Sequence, residues 1–111
     1  MPGRDLQQGV LDVTTTNLGL AATYTGPWVP VEGFSKVAVR WFSTGGATIT
    51  ATVEESIDGS NADFSQSAGA AGAAGPAAPV VVQTAARFVR MKLVDSVAAT
   101  TALRASLAAV G

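Results

Sequence analysis

The chain has no cysteine and no histidine. The first absence excludes disulfides and thiolate metal sites, and with them any inference about redox compartment. The second removes the side chain most used for general acid-base chemistry near neutral pH and the commonest ligand of transition metals. Large rings are scarce: aromatics are 6% of the residues against 48% hydrophobic, so alanine and glycine supply much of the small-residue content and the core should be thin. Charge is sparse and balanced. Seven basic against eight acidic residues leave a net charge of −1, which gives no long-range pull toward nucleic acid phosphates or an anionic membrane. No run of about 18 apolar residues could cross a bilayer, and the opening "MPGRDLQQGV" lacks the apolar segment of a secretory signal. A soluble product of a cytoplasm, with neither nucleic acid nor membrane as partner, is the expectation.

What is present is a period of two. In "FSKVAVRWF" Val37, Val39 and Trp41 share one face, while Lys36, Ala38, Arg40 and Phe42 share a mixed one. After "STGG", Ile49, Ala51 and Val53 alternate with Thr48, Thr50, Thr52 and Glu54, and Gly45-Gly46 between the two runs suggests a hairpin. "PVVVQT" and "ARFVRMKLVD" read as strands, the second with Val89, Met91 and Leu93 on its apolar face. "TTALRASLAAV" suits helix by its Ala and Leu, yet Leu103, Ala105 and Leu107 alternate and the short "DSVAAT" link suits a hairpin, so strand is the reading. "GVLDVTTT" and "LGLAATYT" read as two further strands, and "PWVPV" as a short edge segment whose prolines remove ladder donors. The sum is an all-β chain: one small antiparallel, jelly-roll-like β-sandwich of six to eight short strands. Residues 1–16 form an N-terminal arm and first strand, and 17–111 a single sandwich domain. Within it "SAGAAGAAGPAAP", 67–79, has no large or charged side chain and reads as an Ala/Gly-rich loop, lying over the surface or packing on another subunit.

The groups that could carry chemistry do not assemble into a site. "ESIDGSNADF" offers Asp58, Ser60, Asn61 and Asp63 beside Gly59, but counted as a calcium loop from Asp58 it places Ala62, Asp63 and Gly69 where a ligand, a glycine and a bidentate glutamate are needed. Turn chemistry around Asp-Gly explains the same residues. Glu54 and Glu55 are adjacent and point to opposite faces of a strand, as do Ser35 and Lys36, so neither pair acts on one bond. "GAAGAAG" lacks the lysine and the strand-helix setting of a phosphate loop. No catalytic residue, no metal ligand and no cofactor is expected, and the chain does not read as an enzyme. Most of the seven rings should be core. Trp28, between Pro27 and Pro30, is placed at an interface or a sugar-stacking surface. Tyr24 joins it as a candidate, and Arg87, Arg90 and Lys92 form a basic stripe that either pairs across strands with Glu54 or meets an acidic partner surface.

Three pieces, in order, carry a resemblance. "YTGPWVPVEGFSKVAVRW" resembles the opening of small phage virion domains, in which an aromatic and Pro-Trp segment leads into a "V.GF..V.V" strand. "ITATVEESIDGSNADF" is similar to their "V..S.DG.N" strand and turn, and "ARFVRMKLVDSVAATTALRASLAA" to their penultimate strand, short turn and last strand. The pattern covers 24–66 and 80–109 and resembles the β-sandwich decoration, or cement, proteins of tailed bacteriophage capsids. The aromatic that follows "DG.N" in that pattern is absent at Ala62, where Phe64 stands as its replacement. The resemblance implies a non-enzymatic virion protein, a homotrimer, on the capsid exterior, stabilising the shell by tying neighbouring major capsid protein subunits together. A head-fibre or tail-associated adhesion module on the same fold, stacking Trp28 or Tyr24 on host glycans, is the alternative. A small domain with a thin core also gains from oligomerisation.

Overall fold

In the computed structural model, which describes residues 10–71 and 80–110, the period-two segments become nine strands. They are β1 (Val10–Thr14), β2 (Thr23–Thr25), β3 (Val29–Pro30), β4 (Lys36–Thr44), β5 (Thr48–Ser56), β6 (Phe64–Ala71), β7 (Val80–Gln83), β8 (Phe88–Ser96) and β9 (Ala102–Val110). Sheet I has the order β1-β9-β4-β7 and sheet II the order β2-β8-β5-β6, with β3 also on β8. β2 and β3 lie end to end along one edge of β8, Thr23 opposite Val94 and Val29 opposite Val89, so they act as one interrupted strand. With that pair counted once the ladders nest: β5 with β6 innermost, then β4 with β7, β2/β3 with β8, and β1 with β9 outermost, all antiparallel. A long hairpin folded over on itself in this way is a jelly roll.

The alternation decides which side faces in. Val37, Val39 and Trp41 of β4 and Leu103, Ala105, Leu107 and Ala109 of β9 face Ile49, Ala51 and Val53 of β5 and Val89, Met91 and Leu93 of β8, and these form one buried cluster. Each fully buried aliphatic side chain contributes roughly 1.5–3 kcal/mol. Of the rings, only Trp41 is fully buried among the described residues; Tyr24 and Phe34 are half-buried against the cluster, and Phe42 and Phe64 are exposed. The expectation that most of the seven rings belong to the core is therefore corrected. Short aliphatic side chains from two closely matched sheets fill the space without the rings.

The open sides of the sandwich are closed by polar ties. On the β1/β2 side the Tyr24 hydroxyl donates to the Asp12 carboxylate at 3.0 and 3.1 Å. On the β6/β7 side Thr84 donates through Oγ1 to Glu55 at 2.6 Å, and Gln66 donates to both Glu55 and the Gln83 carbonyl. Three other buried side chains have no hydrogen-bond partner among the described residues: Trp41 at Nε1, Ser43 at Oγ and Asp95 at both oxygens. The unpaired carboxylate is the most costly of these to bury.

Several local expectations change. β4 and β5 do not form a hairpin, because Gly45 and Gly46, with φ of 100° and 77°, carry the chain from sheet I to sheet II. The "DSVAAT" link likewise crosses from β8 in sheet II to β9 in sheet I. Each of these strands has one continuous apolar face, and an arch buries two such faces against each other where a hairpin would set them side by side. "LGLAATYT" is a strand only from Thr23; Gly19 to Ala22 form a turn, with Ala21 at φ 64°. The Ala/Gly loop at 67–79 is also corrected. Its first part completes β6, where a bulge opposite Ala51 and Thr52 places Ala68 in the core and Gly69 at φ 92°. Small side chains pair there because β5 presents a free ladder edge. The rest of that loop, and the arm before β1, lie outside the described residues.

Candidate functional site

The outward face of sheet II is built from alternate residues of β5 and β8. Register sets Glu54 directly opposite Arg90, and Thr52 opposite Lys92. The Arg90 guanidinium meets Glu54 with Nε at 2.6 Å, and the Lys92 ammonium lies 3.9 Å from the other Glu54 oxygen. Val29 pairs with Val89, which brings Trp28 alongside Arg90, and the guanidinium sits 4.2 Å from the centre of the indole. A cation over an indole at a partly exposed site contributes about 0.5–1 kcal/mol. Trp28, Arg90, Glu54 and Lys92 thus form one continuous patch. Arg87 stands apart, paired at 3.6 Å with Glu32, both well exposed, and such a pair contributes about 0–1 kcal/mol.

Tyr24 does not join that patch. It is paired with inward-facing Leu93, and its ring packs on the core with its hydroxyl directed to Asp12. Burial, then the hydrogen bond to Asp12 and that carboxylate's charge, push the phenol up to about 12. Gly26 makes the approach possible, since a Cβ there would lie 2.2 Å from an Asp12 oxygen.

The β5–β6 turn closes on its own backbone. Asp58 accepts from the amides of Ser60 and Asn61 at 2.9 and 3.1 Å and from the Ser56 hydroxyl at 3.0 Å, while Asp63 accepts from the Ile57 amide at 2.9 Å. The Ser60 amide, then the Asn61 amide and the Ser56 hydroxyl, hold the Asp58 carboxyl down at about 2. A depressed carboxyl supports the turn above its usual pKa near 3.8 and loses that support as pH falls through about 2. The side chains that resemble a ligand set are spent on the turn.

A second surface escaped the sequence reading. The outward face of sheet I carries Lys36, Arg40 and Arg104 together with exposed Val13, Phe42, Val81 and Val110. Phe42 is paired with Arg104, and Arg40 with Ser106, which stands opposite Val13 on its other side. These residues and Thr15 line a shallow depression of about 620 Å³. The signal lay in the mixed alternate positions of "KVAVRWF" and "ALRASLAAV", which can be joined only when β4 and β9 are known to be neighbours.

No family model matches the chain, and no curated protein does. Among solved structures, the crystal structure of PBSX exported protein XepA aligns with a TM-score of 0.63 at 18% identity, over 93% of this chain and 36% of that one. The likeness establishes the sandwich fold, and the chain spans 36% of that protein's length.

Proposed function

We propose that this chain is a structural protein of a phage particle: a decoration protein that lies on the capsid exterior and bridges neighbouring major capsid subunits. The observation that carries the reading is the jelly roll itself. Its nested ladders carry the three resembling motifs in order, on β3 into β4, on β5 into its turn, and on β8 into β9. The same sandwich occurs in a phage-related exported protein, which supports a place in or around a particle. A protein that binds only the assembled lattice stabilises it by mass action. The role calls for no cofactor and no catalysis, and the carboxylates of Glu55, Asp58 and Asp63 are engaged in holding strands and turn together. Synthesis in the host cytoplasm and assembly as a homotrimer belong to this reading. Adhesion to host glycans is the less favoured alternative, since one face of the Trp28 ring is occupied by Arg90.

The test is co-sedimentation of the purified chain with expanded, DNA-free shells of the phage that encodes it and, separately, with the unassembled capsid protein. Binding to shells alone is expected. Binding to neither would remove the decoration reading.

A further inference from the structure

The described cations divide into two sets. Arg87, Arg90 and Lys92 each sit beside Glu32 or Glu54. Lys36, Arg40 and Arg104 make no ion pair among the described residues, and all three stand on the outward face of sheet I. No described acidic residue shares that face: Asp12, Glu55 and Asp95 are buried, and Glu32, Glu54, Asp58 and Asp63 belong to sheet II and its connections. Phe42, 42% exposed, lies beside both arginines, and Val13, 60% exposed, lies across Ser106 from Arg40.

The complementary surface is at the other end of the same molecule. The β5–β6 turn projects Asp58 and Asp63 beside Ile57 and Phe64, each 60% exposed. β5 begins at the arch that follows Phe42 and runs nine residues before reaching this turn, a span of about 30 Å at ~3.3 Å per residue. The longest dimension of the described chain is 43 Å, so tip and depression cannot meet within one copy. A second copy can bring them together.

We propose that the β5–β6 tip of one copy docks on the outward face of sheet I of the next, with Ile57 and Phe64 against Val13 and Phe42, and Asp58 and Asp63 beside Arg40 and Arg104. The two patches differ, so the contact is head-to-tail and generates a ring where the rotation closes. Opposite charges steer the encounter and fix its register. The hydrogen bonds inside the turn hold the Asp58 carboxylate in place and charged across the working pH range. The decoration reading includes a homotrimer, and this contact deepens that part of it by naming the two surfaces that meet. It is a property of the isolated chain, and it stands or falls whether or not the chain binds a shell.

Sedimentation velocity of the full chain at low and high salt tests it, with two double variants at exposed positions. Arg40→Glu with Arg104→Glu destroys the face, and Ile57→Ser with Phe64→Ser destroys the tip. Thermal melts monitored by circular dichroism establish that both variants fold. The wild type is expected to sediment as an oligomer that loosens at high salt, and each variant alone as a monomer, with association at least tenfold weaker. An equimolar mixture of the variants is expected to form a 1:1 dimer, because the intact tip of one fits the intact face of the other and neither can propagate. A wild-type monomer at all concentrations would overturn the proposal, including one retained on an acidic polymer column, which would assign the face to a foreign acidic partner. So would a variant that assembles as the wild type does, or a mixture that stays monomeric.

Discussion

Tyr24 is the chain's one tyrosine, so its ionisation can be read from ultraviolet absorbance as a single titration. Burial raises its phenol first, with the Asp12 hydrogen bond and charge adding to the rise, to about 12. The protonated phenol is the form the fold favours. Its contribution to stability is therefore complete below the ordinary value of 10 and is lost as pH rises through about 12. Asp12→Asn removes the charge and leaves the burial, so the midpoint should fall below 12 and remain above 10. An unchanged midpoint would show that Asp12 does not act on Tyr24. The sequence marked Tyr24 as a candidate within "LGLAATYT", of which only Thr23–Thr25 is strand, too short a piece for a period to show which way the ring points. The pairing of Arg90 and Lys92 with Glu54 was legible, since alternate positions on β8 share a face and Glu54 stands at the matching place on β5. Arg40, Phe42 and Arg104 were not, because their proximity depends on which strands become neighbours.

At the scale of elements, strands were readable and connections were not. An apolar alternation on both sides of Gly45-Gly46 is the same whether the strands pair edge to edge or pack face to face, and only the sheet order separates the two. β6 was hidden for a different reason: "SAGAA" has no side chains by which a strand announces itself, and it is held by the ladder of β5. The arch can be tested through its two glycines. Gly46, at φ 77°, has open space where a Cβ would stand, so Gly46→Ala should cost only the left-handed backbone, about 1–2 kcal/mol. Gly45, at φ 100°, would place a Cβ 2.8 Å from the Ala99 carbonyl oxygen and 2.9 Å from the Thr101 amide. Those are backbone atoms of the neighbouring β8–β9 link, so Gly45→Ala should cost more, roughly 2–4 kcal/mol. Urea denaturation of the two variants measures the difference. Equal losses would mean that the two arches do not pack against each other.

At the scale of the whole molecule, the sandwich presents two unlike faces and an acidic, apolar tip. Sheet II turns outward a threonine-rich face whose described charges are paired with one another. Sheet I turns outward cations that make no ion pair among the described residues, beside exposed apolar side chains. All-β class and the sandwich followed from period and composition; the distribution of charge over faces followed only from topology. A small domain with two such surfaces is suited to being held between other subunits, which is the central claim of the decoration reading. Cryo-electron microscopy of the purified particle tests that claim most directly. Density for this sandwich is expected on the outside of the shell, touching at least two major capsid subunits. A particle in which the chain is absent from the shell surface, or is found only at the tail, would contradict it.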